Sequence, residues 1–246
     1  MLDRVLAVDI GATSIKFCRV NPAGTLQGAI RRRATPYPCT PVSLVQLVVE
    51  RIESSQCGRV GVGFPGVVEE GRVLWPGNLS RPGGVTTDID PALHALWLDY
   101  ALQATLAART GRDVRVVNDA TLAALGSFEG RGTEVVFTLG TGFGLALVVN
   151  GVLQHVRDVG AERFVEGRTY DQLLGERSRA EDEVTWRSYL ERAIVYFTHE
   201  FNATVVHLAG GNARRISPES LTTVTSRVVI NGNEAPLRGA AKLFYA

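Results

Sequence analysis

Cysteine is scarce: Cys18, Cys39 and Cys57 are the only three in 246 residues, and no C-x-x-C pair occurs. An odd, scattered set argues against a disulfide framework and a cysteine zinc site, so no structural zinc is expected. His94, His155, His199 and His207 are equally dispersed, which leaves a histidine metal cluster without support. No run reaches about 18 apolar residues, so no membrane-spanning helix is expected. A basic surplus is missing as well, since 26 basic against 25 acidic residues leave a net charge of +1. Nucleic acid is therefore disfavoured as main partner, because phosphate neutralisation needs excess positive charge. The one local surplus, Arg31-Arg32-Arg33, reads as a solvated strand edge. The opening Met1-Leu2-Asp3-Arg4 lacks the zones of a signal peptide, and a cytoplasmic location is expected.

What is present suits a folded α/β protein. Apolar residues make up 45% and charged residues 21%, enough for a sizeable core, and the length suits two domains. Residues 4–10 and 15–20 are short β-branched runs joined by Gly11-Ala12-Thr13-Ser14, and a third strand is expected near 25–33. A helix over 41–54, a strand over 59–64 and short strands around 67–75 follow, then a surface loop over 80–91. A helix is expected over 91–109, with Leu93, Leu96, Trp97, Tyr100 and Ala104 on its apolar side. Strand 114–117 stops at Asn118-Asp119, one of which caps a helix over 119–127. Strands 134–139 and 144–149 flank Gly140-Thr141-Gly142. Helices over 168–178 and 183–201, strand 204–208 ending at Gly210-Gly211-Asn212, and a helix over 236–244 complete the reading.

The unit strand, glycine turn, strand occurs near residue 10 and again near residue 140. This repeat implies two related α/β halves facing each other across a cleft. Glycine turns let backbone N–H groups meet an anion, so the pair reads as a grip on a polyphosphate. Neither matches the G-x-x-x-x-G-K-[ST] loop or the G-x-G-x-x-G fingerprint. Asp9, at the end of a buried strand, either caps the turn or holds Mg²⁺ beside phosphates, the ion keeping bound waters. Lys16 is one of only two lysines, and is either an edge residue or a point charge near phosphate. Asn118-Asp119 reads as an N-cap pair, a proton acceptor for an attacking hydroxyl, or both.

Asp9-Ile10-Gly11-Ala12-Thr13-Ser14-Ile15-Lys16, Gly63-Phe64-Pro65-Gly66, Asn118-Asp119-Ala120, Leu139-Gly140-Thr141-Gly142-Phe143-Gly144 and Gly210-Gly211-Asn212 stand in a recognisable order. The chain resembles the ROK family of sugar kinases, and in particular its short zinc-free branch that includes polyphosphate glucokinases. The likeness runs through Thr169-Tyr170-Asp171 to Asn233-Glu234-Ala235. It implies two actin-like, RNase-H-type domains facing a central cleft. Residues 1–116, with the returning helix 236–246, form the first, and residues 117–235 the second. It implies a carbohydrate kinase moving phosphate from ATP or polyphosphate to a hydroxyl of glucose or a related sugar or cyclitol.

Residue by residue, the resemblance makes Asp119 the general base, and Asn118, Asn78 and Gly66 part of the sugar site. Gly11, Ala12, Thr13, Ser14 and Lys16 become donor-phosphate residues, with Asp9 toward Mg²⁺. Gly140, Thr141 and Gly142 cradle phosphate from the second domain, and Gly210, Gly211 and Asn212 match the donor-nucleoside segment. A homodimer is a family-level expectation. Two departures stand out. Where the family's glucose enzymes carry Glu-x-Gly-His, this chain has Asp158-Val159-Gly160-Ala161, with Glu162 next in line. Losing a hydroxyl ligand alters substrate choice. Ala12 and Ser14 also stand where the family often has glycine. The competing reading is a non-catalytic or degenerate sugar-binding protein. Family repressors carry a DNA-binding module ahead of the kinase-like part, and none is expected before Asp9.

Overall fold

The computed structural model describes residues 4–245, so Met1–Asp3 of the N-terminal reading and Ala246 lie outside the described residues. Two compact units result. Unit one runs to Gly126 and takes the chain back from Pro236, while unit two is Ser127–Ala235.

Unit one is built on strands β1 (Val5–Ile10), β2 (Ser14–Val20) and β3 (Leu26–Ala34), helix α1 (Pro41–Ser55) and strand β4 (Arg59–Phe64). Then come the hairpin β5 (Val67–Glu69) and β6 (Arg72–Trp75), helices α2 (Pro91–Trp97) and α3 (Leu102–Thr110), strand β7 (Asp113–Asn118) and helix α4 (Asp119–Leu125). The main sheet has the order β3-β2-β1-β4-β7, with β1–β2–β3 antiparallel and β1, β4 and β7 parallel. Every residue of β1 is buried, as its apolar run, interrupted only by Asp9, requires of a strand covered on both faces. Helix α1 begins where the sequence says it should. Thr40 and Ser43 form a reciprocal capping box, Pro41 opens the first turn, and Leu44, Val45, Val48, Val49 and Ile52 turn inward. Each such side chain contributes roughly 1.5–3 kcal/mol of burial.

Unit two repeats the plan with β8 (Thr133–Leu139), β9 (Phe143–Val149), β10 (Val152–Gln154) and the small pair β11 (Arg163–Val165) and β12 (Arg168–Thr169). Helices α5 (Tyr170–Leu174), α6 (Glu176–Glu181) and α7 (Glu183–Phe201) precede strands β13 (Val205–Ala209) and β14 (Arg227–Gly232). The sheet order β10-β9-β8-β13-β14 is that of unit one, again with an antiparallel hairpin followed by parallel strands. Phe137, Phe143, Trp186 and Phe197 centre its core, and the Trp186 indole donates to the Leu174 carbonyl at 2.8 Å. Helix α8 (Ala235–Tyr245) crosses back to unit one, where Leu237, Ala240 and Ala241 pack with Val5, Ala7 and Val20. No helix among the described residues is long and apolar enough to cross a membrane.

Three expectations need correction. The helix expected over 91–109 is two helices, because Asp99 takes a left-handed φ of 56° and Val73 N–H bonds the Tyr100 carbonyl at 2.9 Å. Leu96, assigned to the apolar side, is 55% exposed. The helix over 168–178 likewise breaks at Gly175. Third, the division falls after Gly126 rather than at 116. Strand β7 completes the first sheet, and Leu122 of α4 packs on Gly63, so Asn118 and Asp119 belong to unit one. Strand β14, in a stretch without alternation, was not expected.

Candidate active site

In unit one the parallel register aligns Asp9 with Gly63, Gly63 with Val117, and Phe64 with Asn118. The turn Gly11–Ser14, the loop Gly63–Gly66 and the pair Asn118-Asp119 therefore share the carboxyl edge of β1, β4 and β7, within about 10 Å of one another at the strand spacing. Carboxyl ends of parallel strands are where open α/β sheets bind ligands.

Asp9 is only 7% exposed, a costly place for a lone carboxylate. Lys16 lies directly across the hairpin and its Nζ meets Asp9 Oδ2 at 2.7 Å. The turn between them is pinned by its carbonyls. Thr35 Oγ1 donates to Gly11 O at 2.7 Å, Tyr37 Oη to Ala12 O at 2.6 Å, and Thr35 N to Thr13 O at 3.1 Å. Neither Thr35 nor Tyr37 carried a sequence signal. Ala12 is buried and Thr13 exposed.

Asn118 caps α4: its Oδ1 accepts from Ala120 N at 2.8 Å and Thr121 N at 3.2 Å, while its Nδ2 donates to Gly66 O at 2.8 Å. Both oxygen lone pairs are thus committed, and one amide hydrogen remains beyond the bond to Gly66. Asp119, half-buried, opens the same helix, where the dipole favours a carboxylate, and its Oδ1 accepts from Ala120 N at 2.8 Å. Gly66 and Gly77 let two segments of the chain meet backbone to backbone. A Cβ at Gly66 would lie 2.1 Å from Trp75 O, and one at Gly77 2.3 Å from Pro65 O. This packing sets Asn78, whose half-buried amide has no hydrogen-bond partner among the described residues.

Unit two gathers the remaining candidates. Gly140 N bonds Gly142 O at 3.1 Å, and Gly140 O accepts from Glu176 N at 2.9 Å and Asn212 Nδ2 at 3.3 Å. Asn212 thus acts as a strut, joining the β8 turn to the β13 turn. Gly210, with φ of 92°, sits where a Cβ would be 2.4 Å from Leu139 O. Gly211 has space beside Asn233.

Asp171, quoted in the sequence only as part of the resemblance, organises this neighbourhood. Its Oδ1 accepts Phe143 N at 2.7 Å, its N–H meets Gly160 O at 2.9 Å, and its carboxylate sits against Gly142 and Gly160. A Cβ at Gly142 would be 2.5 Å from that oxygen. Asp171 is exposed, yet desolvation by the segments packed around its carboxyl, helped by the charge of Asp158, pushes it above its ordinary range against the pull of the Phe143 N–H. Asp158 is exposed and caps its own turn at Gly160 N, 3.1 Å away. Glu162 pairs with Arg157 at 2.6 Å in an exposed bridge worth about 0–1 kcal/mol, which a ligand hydroxyl can displace. Ala161 offers only a methyl group.

Among the described residues no three His, Cys, Asp or Glu side chains gather as a metal cage.

The ROK family's sequence profile matches residues 5–160. The polyphosphate glucokinase of Mycobacterium leprae is 27% identical over 228 residues, covering 86% of this chain and 64% of that protein. This chain therefore spans just under two thirds of that relative's length. The Mycobacterium tuberculosis (strain H37Rv) polyphosphate glucokinase is 24% identical over 234 residues, covering 91% of this chain and 83% of the relative. The crystal structure of an inorganic polyphosphate/ATP-glucomannokinase from Arthrobacter sp. strain KM superposes with a TM-score of 0.82 at 28% identity, over 98% of this chain and 97% of that one. A glucokinase from Streptomyces griseus, solved with glucose and AMPPNP, shares the fold with a TM-score of 0.74 at 19% identity, over 98% of each chain.

Proposed function

The chain belongs to the ROK family, and from that premise we propose that it is a carbohydrate kinase using ATP or inorganic polyphosphate, as its relatives' names indicate. Glucose is the default acceptor, with a related hexose or cyclitol favoured by Asp158 and Ala161. The observation that carries this reading is the row at the carboxyl edge of unit one, where Asp9, the pinned turn and Asp119 lie together.

In this mechanism Asp119 takes the proton from the sugar hydroxyl as its oxygen attacks the terminal phosphorus, a contribution of roughly 10²–10⁴ in rate. Asn118 holds Asp119 by fixing the start of α4 and keeps one amide hydrogen for a sugar oxygen. Asn78 supplies an uncommitted amide to the same sugar. The turns 11–14 and 140–142, whose Gly11 and Gly140 amides bond inside the turn, are the donor-phosphate segments, and Gly210–Asn212 the nucleoside segment. Asp9 suits Mg²⁺, which is commonly held by one or two carboxylates together with phosphate oxygens and water. One Asp9 oxygen is committed to Lys16, and the other has no partner among the described residues. When bound, the ion offsets charge on the transferring phosphoryl group. A cytoplasmic homodimer goes with this reading.

A matrix of donors (ATP, inorganic polyphosphate) against sugars and cyclitols, read by phosphate transfer beside calorimetric sugar binding, tests it. Transfer with at least one pair is expected. Sugar binding without transfer from either donor replaces it with the sugar-binding reading.

A further inference from the structure

Resting on the assignment of residues 11–14 to the donor phosphate, we propose that Tyr37 is a positioning residue for the phosphoryl donor, fixing the first glycine turn through the Ala12 carbonyl. A trans peptide is planar, with its C=O and N–H pointing in opposite directions. Holding the Ala12 oxygen on Tyr37 Oη at 2.6 Å therefore aims the Thr13 N–H the other way, and holding the Gly11 oxygen on Thr35 Oγ1 at 2.7 Å does the same for the Ala12 N–H. Two successive amides turned to one side form an anion-binding concavity.

The chain needs this anchor at this position. Ala12 lies outside the left-handed region and its methyl is buried, so the turn adopts one conformation compatible with an alanine. That conformation is held by groups from outside the hairpin. The Tyr37 ring is itself wedged. It packs on the unit-one core and faces Gly84, whose φ is 72° and where a Cβ would lie 3.2 Å from two ring carbons. Burial, assisted by Cys39, pushes the hydroxyl up to about 12, so it remains a donor throughout the working range. Gly84 follows the loop that carries Asn78, and one side chain thus ties the donor turn to the chain after the sugar loop.

The test compares full-length wild type with Tyr37→Phe, which keeps the ring and removes the hydroxyl. Leaving one carbonyl unpaired is expected to raise the donor KM roughly fivefold. The sugar KM should be unchanged, the melting temperature should fall by only a few degrees, and the affinity for inorganic tripolyphosphate, read by calorimetry, should fall by the same factor as the donor KM rises. The loss should be larger in an Ala12→Gly background, where the backbone depends more on its anchor. An unchanged donor KM, a shift in sugar KM instead, or simple additivity with Ala12→Gly overturns the proposal. If Tyr37→Phe melts far below wild type, Thr35→Val carries the same expectation through the Gly11 carbonyl. Wild type that neither transfers phosphate nor binds tripolyphosphate overturns the kinase reading itself, whereas an active wild type with an indifferent Tyr37→Phe overturns this inference alone.

Discussion

The two glycine turns occupy matching places in two sheets of identical strand order, yet they are held by different chemistry. In unit one the residues flanking the hairpin are Asp9 and Lys16, an ion pair across the ladder; at the equivalent register unit two has Thr138 opposite Gly144. The first turn is tied down by hydroxyls of Thr35 and Tyr37 acting on its carbonyls. The second is tied by the Asp171 carboxylate acting on an amide, and by Gly142, Gly160 and Gly175 giving up their side chains so that the segments can close. One architecture thus supports a turn flanked by an ion pair and a turn held by a single carboxyl from a distant segment. The ion-paired copy sits beside the residue assigned as base, while the other is shaped by close backbone approach.

The sharpest way to break this comparison is at the base. Asp119→Asn should lower turnover at least ~100-fold, with circular dichroism and melting temperature unchanged because the amide oxygen still accepts the Ala120 N–H. Near-normal turnover removes Asp119 from the mechanism. Next, Lys16→Ala should raise the donor KM about tenfold and destabilise unit one, since a poorly solvated Asp9 loses its partner. Thr138→Val, at the place in unit two that matches Asp9, should change neither by more than about twofold, the ordinary scale for a substitution that breaks no charge pair. Equal effects at the two positions would erase the distinction between the turns.

Unit two has a further carboxyl, placed away from its turn. Glu134 is fully buried and accepts N–H bonds from Glu129, Gly130 and Arg131, while His207 Nε2 approaches it at 2.6 Å. Desolvation pushes this carboxyl up, but the three amides and the imidazole together hold it below its ordinary range. A depressed folded-state pKa stabilises above the unfolded value and is lost as pH falls through the folded one. Glu134→Gln should therefore cost about 2 kcal/mol near pH 7. Chemical unfolding should show that penalty shrinking in acid. The smallest effect is expected at Asp171, whose sign is opposite. Its carboxyl is raised, so the folded state holds the proton longer than the unfolded chain, and stability is lost as pH rises from the unfolded value toward the folded one. Asp171→Asn retains an oxygen for the Phe143 N–H, and its melting temperature should gain on wild type between acid and neutral pH.

The main strands β1, β2, β4, β8, β9 and β13 were legible as short β-branched or apolar runs, and α1 and α7 as apolar helical periods behind a cap. The break at Asp99 was not legible. The apolar period runs on past Trp97, and what stops the helix is a distant backbone bond from Val73. The turn motifs and Asn118-Asp119 were readable from their order. Tyr37, Thr35 and Asp171 were not assigned roles, because each acts on a segment some 24 to 28 residues away, a pairing only the fold creates. Asn212 was readable as part of a motif, but its engagement with Gly140 was not.

Helix α8 has a consequence for how the molecule is made. It docks on β1 and β2 and presses so closely that a side chain at Gly239 would lie 1.9 Å from the Leu122 carbonyl. A ribosome releases all five strands of the first sheet early, yet the piece that seals their apolar underside emerges only after the whole of residues 127–235. The half begun first is finished last, and until then its exposed face relies on chaperones or on luck.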